Sequence, residues 1–149
     1  MEIIRMNKRG HKSLAGLCPF LFLPLLLFAG CNPDRCHSYF GQGGTIDITM
    51  PEYAELQTVG GALTLRGGHS GIFVTRTSYS SFVAFDCTCP NEGDVRLLPD
   101  TEWGNSVLTC PTCLSRFNAL DGTPLTGSAT PCPLYEYSTS FDGRELSIY

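Results

Sequence analysis

Two closely spaced cysteine pairs constrain this chain more than any other feature. Cys87-Thr88-Cys89-Pro90 is a C-x-C pair, Cys110-Pro111-Thr112-Cys113 is a C-x-x-C pair, and twenty residues, 90 to 109, separate the two pairs. Pairs this short let two loop tips bring four sulfurs to one point, and thiolates gathered that way suit zinc, a single iron or an iron–sulfur cluster. Disulfides are the rival outcome. A C-x-C bridge is strained, but a bridge from Cys87 or Cys89 to Cys110 or Cys113 is feasible. The histidines are His11, His37 and His69. His69 comes closest to a site cysteine, but it sits among glycines and reads as a solvated turn residue.

The N-terminus decides which redox compartment those cysteines meet. Arg5, Lys8, Arg9 and Lys12 form a basic head, Ser13 to Ala29 is apolar, and Phe28-Ala29-Gly30-Cys31 follows. This is the layout of an export signal with small residues before the cut. As a permanent membrane span the stretch is short, at 17 residues, and it carries Pro19 and Pro24, which cost helix stability. Its Ala-Gly-Cys ending resembles the lipobox of bacterial lipoproteins, with Phe28 where leucine is usual. That resemblance implies that residues 1–30 are removed, that Cys31 is lipidated, and that the protein is anchored to a bacterial membrane on its periplasmic side or at the cell surface. An ordinary secretory cut near Gly30 is the alternative. After the cut, six Lys/Arg and thirteen Asp/Glu remain, a formal charge of −7. No basic stripe is left for nucleic acid, and an acidic surface suits a basic partner protein.

Cys36 and Cys132 stand apart from the two pairs. In an oxidising compartment a disulfide between them is the simplest pairing, though either could equally be free. Residues 31–44 are polar and Gly-rich and read as a tether. From Thr45 onward the signals are those of short strands. Thr45–Thr49 alternates and ends before Pro51. Ala62–Leu65 and Ile72–Arg76 flank the turn cluster 67–71 and predict a hairpin. Phe82–Phe85 is an apolar run leading to Cys87. Gly122 marks a turn. Leu134–Ser138 and Glu145–Tyr149 are strand candidates separated by Asp142-Gly143, a hairpin signal. Trp103 reads as a partly buried loop anchor. No long helical period appears in the mature region, so the class is all-β with long loops, a sandwich or small barrel.

The cysteine region is similar to Rieske-type iron–sulfur domains. Those carry C-x-H, a spacer, and then C-P-x-H-G-S-x-[FY]-D followed by G and G-P-A. This chain matches that pattern from Cys110 through Ser115 and Phe117 to Gly127-Ser128-Ala129, with cysteine at both histidine positions, Cys89 and Cys113. Leu114 replaces a glycine and Ser128 a proline. The resemblance spans 45–149. It implies a Rieske-like domain with two metal-binding loops and a [2Fe–2S] cluster. Cys87 and Cys110 would hold one iron, and Cys89 and Cys113 the other. Ser115 would donate to a bridging sulfide. The protein would then be an electron carrier serving a redox partner rather than an enzyme with its own substrate. Zinc or single-iron binding, or disulfides in an interaction lipoprotein, is the other reading of the same residues.

Overall fold

The computed structural model describes Cys36 and residues 41–149. The segments expected to be a signal peptide (1–30), a lipidation site (Cys31) and most of a tether (31–44) lie outside the described residues. Asn32–Tyr149 forms one compact unit.

Among the described residues the regular secondary structure is almost all strand, joined by long loops, as the turn spacing predicts. The strands are β1 (Gly44–Asp47), β2 (Ala62–Leu65), β3 (Ile72–Arg76), β4 (Phe82–Asp86), β5 (Leu98–Asp100), β6 (Gly104–Thr109), β7 (Arg116–Asn118), β8 (Glu136–Tyr137), β9 (Thr139–Phe141) and β10 (Glu145–Ile148). They form three antiparallel sheets, ordered β1-β10-β9, β2-β3-β4-β8 and β5-β6-β7. A single 3-10 helix, Pro51–Gln57, lies between β1 and β2. Pro51 therefore opens a helical turn as well as ending the strand before it, in keeping with proline's preference for the first helical position.

The β2-β3 hairpin forms with Ala62 opposite Thr75 and Leu65 opposite Ile72. The Asp142-Gly143 turn also forms, but its first arm is β9 rather than Leu134–Ser138. Phe141 pairs with Leu146, while β8 turns away to pair with β4. That choice lets Phe82 and Phe141 pack edge to face, 5.0 Å between ring centroids.

Side-chain alternation along β3 and β4 divides the interior in two. Strand period 2 sends successive residues to opposite faces. Ile72, Val74, Phe82 and Ala84 point to one side, where they meet Leu146 and Ile148 of β10, Leu56 and Ile48. Phe73 and Phe85 point to the other side and meet Leu108 of β6, Phe117 of β7, Leu97 and Leu134. Cys87, Cys89 and Cys110 belong to this second core, and Cys113 packs against it.

The buried carboxylate of Asp86 ties the middle sheet to its neighbouring loops. Its Oδ2 accepts the His69 N–H at 2.8 Å and the Tyr137 hydroxyl at 2.7 Å, and its Oδ1 accepts the Thr88 N–H at 2.9 Å and the Thr88 hydroxyl. Burial works against its charge, but these bonds outweigh burial and hold its pKa below the ordinary carboxylate value. Gly68, at φ +60°, is required here, because a Cβ would lie 2.3 Å from Asp86 Oδ2.

The Cys36–Cys132 pairing is present as a disulfide, with the Cα atoms 5.4 Å apart. The N-terminal segment is thus fastened to the body at Cys36. It meets the body again where the Gly68 N–H donates to the Gln42 carbonyl at 3.2 Å.

Candidate metal centre

The first cysteine loop grows directly out of β4. Residues 87–89 continue the ladder against 95–97. The Leu97 N–H donates to the Cys87 carbonyl at 2.6 Å, the Cys89 N–H donates to the Val95 carbonyl at 2.8 Å, and Thr88 bridges Arg96. The period-2 rule then places Cys87 and Cys89 on the same face as Phe85. The chain reverses after Pro90, with the Gly93 N–H donating to the Cys89 carbonyl at 2.9 Å. The backbone N–H groups of Glu92 and Asn91 are directed at the Cys89 sulfur.

The second loop is a tight turn between β6 and β7. The Leu114 N–H donates to the Cys110 carbonyl at 3.0 Å, and the Cys110 N–H donates to the Ser115 carbonyl at 2.9 Å. Leu114 adopts φ 58°. The left-handed turn that a glycine would make is therefore formed by a leucine, whose side chain is 70% exposed. Ser115 is fully buried. Its Oγ lies 3.2 Å from Cys113 Sγ and accepts the Ala129 N–H at 2.9 Å. Ser128 ties its loop to the start of β7. Its Oγ accepts the Arg116 N–H at 3.0 Å and donates to the Arg116 carbonyl at 2.8 Å.

Together these loops bring the sulfurs of Cys89, Cys110 and Cys113 within 4.8 Å of one another. Cys89 and Cys113 are 3.6 Å apart. Two sulfurs bound at ~2.3 Å to one tetrahedral ion lie about 3.8 Å apart, so this separation fits shared coordination. All four site cysteines are free thiols, in contrast to Cys36 and Cys132. Cys87, Cys89 and Cys110 are buried, and Cys113 is partly exposed. Burial pushes the thiols of Cys87 and Cys89 up to about 12. Burial acts in the same direction on Cys113, but hydrogen bonding from Ser115, Cys110 and Cys89 wins and lowers its pKa. A partly exposed, acid-shifted thiol beside two buried ones is suited to ligating a soft metal, which takes thiolate rather than thiol. The donor set does not separate zinc from iron or an iron–sulfur cluster.

Cys87 is buried in the same core but does not belong to the triad. His69 stands outside it too, with its Nε2 3.5 Å from Asp94 Oδ1. Trp103 is 57% exposed and is not a buried anchor. Its backbone N–H donates to Asp100 Oδ1 at 3.1 Å in the β5–β6 turn. Sequence reasoning missed the Asp86 network. The available signal was Asp86-Cys87-Thr88, since an aspartate two residues before a threonine favours the local turn bond seen here.

No family model matches the chain, and no curated protein matches it. Among solved structures, the chain is similar to the ferredoxin of carbazole 1,9a-dioxygenase from Nocardioides aromaticivorans IC177. Identity is 19% and the TM-score 0.42, with 61% of this chain and 86% of that chain covered. It is also similar to a chain of a complex of reduced oxygenase and oxidized ferredoxin in carbazole 1,9a-dioxygenase. There the identity is 17% and the TM-score 0.42, with 74% of this chain and 94% of that chain covered. Likeness this distant carries no argument about function. What the fold and site define on their own is an all-β domain with a thiol triad, two members buried and one partly exposed, spanning two loops.

Proposed function

We propose that this protein is an exported, lipid-anchored electron carrier whose two cysteine loops hold a [2Fe–2S] cluster, with ligands drawn from Cys87, Cys89, Cys110 and Cys113. The observation that carries the proposal is the convergence of three free thiols from two loops to within 4.8 Å. Such a cluster supplies one-electron transfer. The chain's own residues hold and shield it. Ser115 contacts the Cys113 sulfur, Ser128 ties its loop to Arg116, and Phe117 and Leu108 pack in the same buried core as Cys87, Cys89 and Cys110. Cys31 supplies the membrane anchor, and the acidic body suits a basic redox partner. With thiolates in place of imidazoles, the potential falls towards ~ −400 mV and stays flat with pH from about 6 to about 9, because no ligand titrates there.

One observation favours a second reading, a single zinc or iron ion. The Cys89 and Cys113 sulfurs, 3.6 Å apart, are as close as two ligands of one ion, and Cys110 lies within 4.8 Å of both. Anaerobic purification, a visible spectrum, and iron, zinc and sulfide analysis decide between the two. Iron with equimolar inorganic sulfide supports the carrier, and zinc or iron without sulfide supports the single ion. A colourless, metal-free protein with its site cysteines in disulfides overturns both.

A further inference from the structure

The segment that precedes β1 meets the body at two places that each lead to a cysteine loop. At Gly41 its backbone packs against the turn before β3. A Cβ there would lie 2.0 Å from the Gly68 Cα and 2.7 Å from the Tyr137 hydroxyl, so only glycine fits. The Gly41 N–H is directed at that same hydroxyl. The hydroxyl donates to Asp86 Oδ2, and Asp86 Oδ1 accepts the Thr88 N–H between Cys87 and Cys89. At Cys36 the segment is joined by its disulfide to Cys132, in the loop that carries Ser128 and Ala129.

The backbone of that loop can do little to anchor its own middle. Ser128 fastens its start to Arg116, and the Leu134 N–H fastens its end to the Gly122 carbonyl at 2.9 Å. Between them Pro131 and Pro133 have no N–H to give, and the Cys132 N–H is used inside the loop, on Thr130 Oγ at 3.1 Å. What the loop delivers is the Ala129 N–H, donated to Ser115 Oγ at 2.9 Å, and the same oxygen lies 3.2 Å from the Cys113 sulfur. A hydroxyl has one hydrogen and two lone pairs. As a metal ligand Cys113 is a thiolate and can only accept, so the Ser115 hydrogen turns to the sulfur. The Ala129 N–H occupies a lone pair of the same oxygen and restrains the hydroxyl from rotating away. A hydrogen bond to an ionised acceptor is among the strong ones.

We infer that the N-terminal segment is a strap that braces the metal site, with the Cys36–Cys132 disulfide as its clasp, and that the clasp positions Ala129 so that Ser115 keeps its hydroxyl on Cys113. Cys36, Cys132 and Ala129 are positioning residues, acting through Ser115. The inference rests on the metal-centre reading above, although the Ala129 contact itself needs no metal.

A bridge that closes a loop of 96 residues raises global stability whatever its local role, so the test uses local readouts under conditions where every variant is folded. The full chain is purified anaerobically as the parent, as Cys36→Ala/Cys132→Ala, as Ser115→Ala and as the triple variant. In the metal-free parent the Ala129 amide proton is hydrogen-bonded, and the double variant moves its NMR resonance upfield, towards the position it takes in Ser115→Ala. In the metal-loaded proteins, release of metal to a chelator is faster by about tenfold or more in both the double variant and Ser115→Ala, the loss expected for one hydrogen bond to a charged group. The triple variant releases metal within about twofold of Ser115→Ala, because the two changes remove the same interaction. Cys36→Ala alone, which leaves the buried Cys132 side chain in place, serves if the double variant does not fold. An unmoved Ala129 resonance, or an unchanged release rate in the double variant, overturns the clasp. Effects that multiply in the triple variant overturn its action through Ser115. A parent chain without metal overturns the metal-centre reading itself and leaves the Ala129 resonance to judge the strap, so the two failures are distinguishable.

Discussion

The two cores on either side of the β3-β4 pair are built from the same strands and filled with different chemistry. On the β10 side, Ile72, Val74, Phe82 and Ala84 meet Leu56, Leu146 and Ile148 in an interior of hydrocarbon, with Tyr137 at its border donating to Asp86. On the β6 side, Phe73 and Phe85 meet Leu108 and Phe117, but three of the buried side chains are cysteines. The first core is complete as it stands, since burying apolar area is all it needs. The second places Cys87 and Cys89 where desolvation raises their pKa and favours the thiol, a state that offers weak hydrogen bonds and binds no metal. The comparison teaches that the hydrocarbon side is purely structural, whereas the sulfur side gathers groups that could bind a soft metal.

That contrast can be broken most severely by stripping the centre. With a chelator and reductant present, amide exchange at Cys89, Cys110 and Leu114 accelerates, while Leu146 and Ile148 retain their protection, because only the sulfur side loses bonds. Equal loosening of both sides would remove the distinction. A smaller effect sharpens it from the other direction. Leu146 is fully buried in the hydrocarbon core, so Leu146→Ala costs about 2–5 kcal/mol in chemical denaturation. That cost should be the same with and without metal. The smallest expected effect is a gain. Leu114 holds φ 58° with its side chain mostly in solvent, and a non-glycine residue there loses roughly 1–2 kcal/mol. Leu114→Gly therefore stabilises the protein by about 1 kcal/mol, a little less than the relief of strain because glycine gives up more freedom on folding. A melting temperature that falls instead would show that the leucine makes a contact worth more than its strain.

Much of this was legible in the residues, and the parts that were not have physical reasons. Ala62–Leu65 and Ile72–Arg76 are found as strands because alternation and a glycine turn agree. Strands β5 to β7 were hidden: Leu98 is half exposed, Gly104-Asn105-Ser106 is exposed throughout, and only Val107 and Leu108 of β6 are buried, so no period shows. The Asp142-Gly143 turn was correct and its partner strand was not, because two-residue turn chemistry fixes a reversal without saying how many residues before it belong to the hairpin. The cysteine spacing gathered the right residues into one core. It could not say which of them come closest, since Cys87 and Cys89 share a strand face and spacing alone does not give the distances between loops. The disulfide between Cys36 and Cys132 followed from compartment and elimination, whereas the exposure of Trp103 went against the usual fate of that side chain.

The central claim is that the triad holds an inorganic centre, and X-ray absorption at the metal edge of the anaerobically purified chain reads it most directly. The account predicts a sulfur shell at about 2.3 Å that disappears in Cys113→Ala. A metal surrounded only by nitrogen and oxygen, or a shell that survives the loss of Cys113, would contradict it.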